Sequence, residues 1–214
     1  MSGDRSASPC YHRAMLMRIA FAALVAAAAV PAVAQPAAEA RKSDLVRVAL
    51  DTDKGRIVLE LDQGKAPVTT ANFLAYVDKK WFDGAPFYRA FAYGEGGIVQ
   101  GGVRDGGKQL PPVRTEPTSE TGLRHVAGTV AMANGGPMTT RSDFFIMTTD
   151  VEAFNASPTD PGFAAFGRVV EGMDVVKAIL AAPKSPTKGE GVMKGQMLDP
   201  VVTIRKAARV TPQS

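Results

Sequence analysis

Every second residue is apolar in two short runs, 46–50 and 57–61, and this period constrains the fold more than any other feature of the sequence. A period of two places alternate side chains on opposite faces of a β-strand. The two runs are separated by Asp53, Lys54 and Gly55, which are typical turn residues. We therefore predict a β-hairpin with one buried face.

Further short strand patterns follow at residues 87–89, 98–100, 129–133, 143–148, 166–170 and 201–205. Two stretches, 66–77 and 173–182, have helical spacing instead. Pro67 suits the first turn of the first helix, and Pro183 stops the second. Many short strands with two helices are typical of a closed antiparallel barrel with helices at its ends. A chain of 214 residues is long enough for one such domain.

The candidate chemistry is concentrated in residues 87–102, FYRAFAYGEGGIVQGG. Simple alternation predicts a strand with Phe87 and Arg89 on one face, then a glycine-rich loop, then a strand that ends at Gln100. Arg89 is either a functional arginine held by the Gln100 amide or an arginine at a barrel rim whose stem packs on apolar surface. These residues alone favour the second interpretation.

Three later motifs change that interpretation: GTVAMANGGP at 128–137, RSDFFI at 141–146 and FGRVVEGM at 166–173. Together with F-x-R and Q-G-G, their order and spacing resemble the cyclophilin family of peptidyl-prolyl isomerases, from about residue 46 to 205. The resemblance implies a mainly β fold, a closed eight-stranded antiparallel barrel capped by two helices. It also implies an isomerase of X–Pro bonds that acts on proline-containing polypeptides as a monomer, without cofactor or metal.

The same resemblance implies a role for each site residue. Arg89 would donate to the prolyl nitrogen, and Gln100 would hold the guanidinium and contact the substrate. Backbone groups at 133–134 would bind the residue before the proline, and aromatic and aliphatic side chains would line the proline pocket. The expected substrate-binding residues are Ile98, Ala133, Asn134, Asp143, Phe145, Phe154 and Phe163, whereas Met132 is assigned to the core.

Three positions depart from the family pattern. Gly97 stands where an aromatic residue is usual, so that Phe91 or Tyr93 would have to substitute for it. Asp143 replaces a common glutamine, and its carboxylate would either orient Arg89 or engage it and weaken its donation to substrate. Ala153 replaces the tryptophan of many eukaryotic members, which implies weak cyclosporin binding.

These departures leave more than one function open. The first is a prolyl isomerase that helps exported proteins fold. The second is a weakly active or inactive module of the same fold, which would hold proline-containing segments with little turnover. The third, a structural barrel with no peptide groove, is disfavoured by the M-A-N and F-F-I segments.

The first 34 residues have the pattern of a Sec-type signal peptide. Arg13 and Arg18 precede an apolar run at 19–30, and small residues at 31–34 predict cleavage after Ala34. Met15 or Met17 is an alternative start, and an uncleaved anchor is the alternative interpretation. We expect residues 35–44 to form a flexible leader, residues 45–206 the isomerase domain and residues 207–214 a tail, in a periplasmic or secreted protein.

Removal of residues 1–34 would lower the formal net charge from +4 to +2, with 22 basic and 20 acidic residues left. So mild a charge implies neither nucleic-acid binding nor stable membrane association. Cys10 would be lost, and His125 would be the remaining histidine. One histidine without cysteine predicts no zinc cluster.

Overall fold

The predicted hairpin is present in the computed structural model, which describes residues 44–136 and 138–211. Strand β1 (Leu45–Thr52) pairs antiparallel with β2 (Gly55–Asp62), and Val48 lies opposite Leu59. Both side chains are fully buried in the main core. The alternation in the sequence therefore identified the buried face correctly.

Six more strands complete a closed barrel in the order β1-β2-β7-β5-β6-β4-β3-β8, in which every neighbouring pair is antiparallel. This confirms the predicted mainly β fold, a closed eight-stranded antiparallel barrel. The remaining strands are β3 (Pro86–Tyr93), β4 (Gly96–Gly101), β5 (Thr129–Met132), β6 (Phe144–Met147), β7 (Ala164–Glu171) and β8 (Met197–Val210).

The two predicted helices pack on the barrel. Helix α1 (Pro67–Asp78) contacts β2, β7 and β8, and Pro67 occupies its first turn. A four-residue helix, α2 (Thr118–Thr121), lies in the long connection before β5. Helix α3 (Met173–Leu180) contacts β2, β3 and β4, and it ends two residues earlier than predicted.

Aromatic side chains fill the centre of the main core. Phe73 from α1 packs against Phe144 at 5.3 Å in an edge-to-face arrangement, and against Phe82 and Phe166 at 4.9 and 5.3 Å. Met132 is also fully buried here, as predicted. Edge-to-face aromatic pairs add to the stability that burial of the rings provides.

The predicted boundary at residue 207 is wrong. Strand β8 continues to Val210, and Val210 lies opposite Arg47 on β1. Residues 207–210 therefore belong to the barrel, because their backbone pairs with the first strand. The sequence-based prediction recognised only the central part of β8, since this strand lacks a regular apolar alternation.

The predicted signal peptide at residues 1–34 and nearly all of the leader lie outside the residues that the structure describes. Within the described ranges, no helix is both long and apolar enough to cross a membrane.

Candidate functional site

A bulge in β3 determines which way Arg89 points. Phe87 lies opposite Gly101 and Arg89 lies opposite Gln100. The chain therefore advances by two residues along β3 and by one residue along β4, and Tyr88 is the extra residue. Such a bulge interrupts alternation. Phe87 consequently enters the main core, whereas Arg89 lies on the outer surface of the barrel. The prediction that Phe87 and Arg89 share a face is therefore wrong.

Three side chains hold the Arg89 guanidinium. Its Nη1 donates to Gln100 Oε1 at 3.0 Å, and its Nε and Nη2 both donate to Gln196 Oε1, at 2.9 and 2.6 Å. Its Cζ lies 4.5 Å from the centroid of the Phe91 ring, which gives a cation–π contact. Partial burial lowers the pKa of Arg89 below its ordinary value, and the neighbouring Tyr88 opposes this effect.

An apolar cluster of side chains lies beside this arginine on the same outer surface. Gln100 pairs with Phe145 on β6, which connects the arginine to the pocket. The rings of Phe154 and Phe163 lie 5.7 and 5.3 Å from that of Phe145 and 4.9 Å from each other. Ile98 joins the same cluster, which is separate from the main core. The structure thus brings together four of the expected substrate-binding residues, of which Ile98, Phe145 and Phe154 were predicted to line the proline pocket.

His125 lies beneath this pocket, and the sequence analysis gave it no place in the site. Its ring stacks on Phe145 with 18° between the planes, and it meets Phe154 and Phe163 edge to face. Its Nδ1 lies 3.1 Å from Asn155 Oδ1. Burial lowers the pKa of His125, while the Asn155 contact opposes this effect. The available signal in the sequence was that His125 is the one histidine after residue 34.

A groove of about 500 Å³ runs along the other side of the site. It is lined by Gln100, Arg104, Ala133, Asn134, Arg141 and Asp143. The Ala133 N–H already donates to the Asp143 carbonyl at 2.8 Å, so Ala133 would offer its carbonyl to a ligand. The Asn134 side chain is fixed by Gly136 N–H, at 3.2 Å, and by the Gly162 carbonyl, at 3.4 Å.

Asp143 does not bind Arg89, contrary to both alternatives drawn from the sequence. Its carboxylate pairs with Arg104 and accepts a hydrogen bond from Tyr88 Oη at 3.3 Å. Burial raises the pKa of Asp143, although Arg104 and Tyr88 act in the opposite direction. The guanidinium of Arg104 also stacks 4.2 Å from the Tyr88 ring centroid. Asp143 therefore organises the groove wall rather than Arg89.

Phe91, and not Tyr93, occupies the space beside Arg89. Tyr93 is 45% exposed, whereas Phe91 packs between the guanidinium and the pocket cluster. A Cβ on Gly97 would lie 2.3 Å from the Phe91 carbonyl and 2.7 Å from Leu180 Cδ1. Glycine at 97 is therefore required by the close approach of β3 and α3.

The arrangement presents a cationic hydrogen-bond donor beside an apolar cluster, with a polar groove on the other side of Gln100. Such a site can bind a peptide whose apolar ring enters the pocket, and can donate to an atom next to that ring. In residues 44–136 and 138–211, no three His, Cys, Asp or Glu side chains come together as a metal site would need.

Comparison with known proteins matches most of the chain to one family. The family model for cyclophilin type peptidyl-prolyl cis-trans isomerases matches residues 46–208. A peptidyl-prolyl cis-trans isomerase of Acinetobacter baylyi is 36% identical over 143 residues, which cover 64% of this chain and 73% of that protein. One of Streptomyces antibioticus is 39% identical over 150 residues, covering 66% of this chain and 87% of that protein.

Isomerase B of Escherichia coli is 34% identical over 140 residues, which cover 62% of this chain and 82% of that protein. Among solved structures, a cyclophilin-type isomerase of Cryptosporidium parvum superposes with a TM-score of 0.63 at 20% identity, covering 79% of this chain and 99% of that one. At this identity the superposition supports the barrel fold alone.

Proposed function

The chain belongs to the cyclophilin-type peptidyl-prolyl cis-trans isomerase family, and we propose that Arg89 accelerates rotation of an X–Pro bond by donating a hydrogen bond to the prolyl nitrogen. The activity of the chain is peptidyl-prolyl isomerisation of proline-containing peptides. The role of Arg89, the residues that hold the substrate and the origin of the substrates are the parts that we propose.

The chemistry of the reaction explains why a donor is needed. The barrier to rotation of a peptide bond is about 18–20 kcal/mol, because the nitrogen lone pair is delocalised into the carbonyl. In the twisted transition state, the nitrogen regains that lone pair and becomes a hydrogen-bond acceptor. A donor that binds this nitrogen favours the transition state over both planar isomers, and thereby lowers the barrier.

The observation that carries the proposal is the fixed position of Arg89 at the edge of the apolar pocket. Gln100 binds Arg89 and lies opposite Phe145 in the sheet register, so three adjacent strands, β3, β4 and β6, hold the donor next to the apolar cluster. A proline ring held among Phe145, Phe154 and Phe163 would place its nitrogen next to the guanidinium. Donors fixed before the substrate binds need no reorganisation during the reaction.

The groove supports the position of the remaining substrate. It begins at Gln100 and continues past Ala133 and Asn134, so it can receive the residues that precede the proline. The Ala133 carbonyl would accept a hydrogen bond from the backbone of the residue before the proline. This would hold one side of the rotating bond while the pocket holds the other.

The surroundings of Arg89 favour turnover over binding alone. Gly97 and Asp143 were the two departures that supported a binding module. Phe91 fills the place beside the guanidinium, and the Asp143 carboxylate is engaged by Arg104. The guanidinium thus keeps its charge available for the substrate.

We also propose that the substrates are exported proteins, in the periplasm or outside the cell, and that the chain acts as a monomer. The first part rests on the sequence of residues 1–34 alone. The second rests on the resemblance to the family.

Catalysed cis-to-trans exchange of a short X–Pro peptide tests the proposal, with Arg89→Ala and Arg56→Ala measured beside the wild-type protein. Loss of a charged hydrogen bond worth about 1.5–3 kcal/mol should reduce the rate about 10- to 100-fold in Arg89→Ala. Arg56→Ala is the matched control, because Arg56 is exposed and pairs only weakly with Asp51, at 3.5 Å. An Arg89→Ala rate equal to that of the control would exclude the role of Arg89.

A further inference from the structure

Gln196 makes more hydrogen bonds to Arg89 than Gln100 does. Its Oε1 accepts from both Nε and Nη2 of Arg89, at 2.9 and 2.6 Å, whereas Gln100 accepts only from Nη1. Gln196 directly precedes β8 and lies 107 positions from Arg89 in the sequence. It belongs to none of the motifs that identified the site.

The two amides leave a defined part of the guanidinium free for substrate. Arginine has five N–H donors: one on Nε and two on each terminal nitrogen. Among residues 44–136 and 138–211, acceptors engage three of them, one each on Nε, Nη1 and Nη2. One donor therefore remains on each terminal nitrogen, and these are the donors that point away from Gln196 Oε1.

Gln196 is itself fixed to β3 and to its own loop. Its backbone carbonyl accepts from the Ala90 N–H at 2.9 Å, and its side-chain Nε2 donates to the Val192 carbonyl at 2.8 Å. Because arginine has no acceptor and a carbonyl has no donor, only one orientation of the amide satisfies both contacts. The loop that contains the 3-10 turn Gly191–Met193 thus delivers an acceptor to Arg89 in a fixed orientation.

We infer that Gln196 is a positioning residue of the isomerase, which sets the rotation of the Arg89 guanidinium and thereby aims its two free donors. Without Oε1, Gln100 would hold the guanidinium through one terminal nitrogen, and the group could turn about its side-chain bonds. A small displacement of a catalytic group lowers the rate strongly. This inference rests on the proposed role of Arg89.

Two substitutions separate the acceptor from the rest of the side chain. Gln196→Leu keeps a similar volume but removes both polar atoms. Gln196→Glu keeps an oxygen for Arg89 while it loses the donor to Val192. Gln63→Leu is the matched control, because Gln63 is an exposed glutamine on the turn after β2. Each variant is assayed for the catalysed rate and for affinity of an X–Pro peptide, and the Arg89 Nε–H resonance is followed by NMR.

We expect Gln196→Leu to lower kcat about tenfold with peptide affinity unchanged, because only the aim of the donor is lost. The Arg89 Nε–H resonance should shift in Gln196→Leu, and Gln196→Glu should restore most of the rate. Gln63→Leu should match the wild-type protein in every measurement.

Three results would overturn the inference. They are a Gln196→Leu rate within about twofold of wild type, a loss that Gln196→Glu does not recover, and a loss fully explained by weaker peptide binding. Arg89→Ala, assayed in parallel, keeps the two proposals apart. If Arg89→Ala loses activity and Gln196→Leu does not, only the role of Gln196 fails. If Arg89→Ala keeps its activity, the proposed role of Arg89 fails first.

Discussion

His125 lies parallel to Phe145, with 6.2 Å between the ring centroids and 18° between the ring planes. The imidazole is 1% exposed, and in the described part of the chain its Nε2 has no hydrogen-bond partner. Burial under three phenylalanine rings favours the neutral imidazole and lowers the pKa of His125, while the contact with Asn155 opposes this effect. A titratable group therefore packs directly against the apolar cluster proposed to hold the proline ring.

The free energy of unfolding should fall as the pH drops below about 6.5, the ordinary pKa of histidine. Burial lowers the pKa of His125 in the folded protein, so the unfolded chain binds this proton first as the pH falls. The stabilising contribution is present above the unfolded pKa and is lost as the pH falls through the folded pKa. Urea unfolding of the wild type and of His125→Gln at about pH 7.5 and pH 5 measures it.

Carboxylates contribute equally to both proteins and cancel in the difference between them. The wild type should lose more stability than His125→Gln over this range. If both proteins lose the same amount, His125 titrates normally in the folded state.

Phe163→Ala should affect catalysis more strongly than it affects the stability of the fold. Phe163 is a partly buried wall of the pocket, and its loss should lower kcat/KM for an X–Pro peptide about tenfold through weaker binding. Phe166→Ala, three residues later, removes a ring from the main core and should cost about 3–5 kcal/mol of stability. Peptide kinetics and urea unfolding of both variants test the contrast, which fails if Phe163→Ala leaves kcat/KM unchanged.

Gly97→Ala should destabilise the protein by about 1–3 kcal/mol, because its methyl group would meet the Phe91 carbonyl and Leu180. Gly106→Ala is the matched control, since a Cβ at Gly106 meets nothing within 4 Å. It should stay within about 0.5 kcal/mol of wild type. Thermal or urea unfolding compares the two, and equal stability would mean that β3 and α3 separate at little cost.

Asp143→Asn should leave the catalysed rate for an uncharged peptide within about twofold of wild type, since the carboxylate binds Arg104 and Tyr88 and not Arg89. Gln100→Leu, which removes a direct partner of Arg89, should lower that rate about tenfold. The two variants are compared in the same exchange assay. A marked increase in rate for Asp143→Asn would indicate that the carboxylate restrains Arg89 after all.

The sequence predicted the structure best where it contained a regular strand period or a set of motifs in a fixed order. Residues 46–50 and 57–61 gave the first hairpin and its buried face, and the family resemblance grouped Ile98, Phe145 and Phe154, which the structure places in one cluster. These features depend on local alternation or on ordered blocks of residues. Local alternation and ordered blocks can both be recognised in a sequence without knowing which strands pair.

The errors arose where contacts over a long sequence distance decide the outcome. The bulge at Tyr88 depends on how β3 meets both β4 and β8, so alternation within β3 could not reveal it. Asp143 binds Arg104 and the bulged residue Tyr88 instead of Arg89, and neither contact is local in the sequence. Gln196 was missed because no local pattern distinguishes a glutamine that contacts a residue 107 positions away.

Strand β8 pairs with β1 on one side and with β3 on the other, and this has a consequence for biosynthesis. A ribosome makes β8 last, so a nascent chain that already contains seven strands still has two open sheet edges. Exposed edges of this kind invite pairing with other chains until the final segment arrives. Because Gln196 immediately precedes β8, Arg89 gains its second amide partner only as this last strand takes its place.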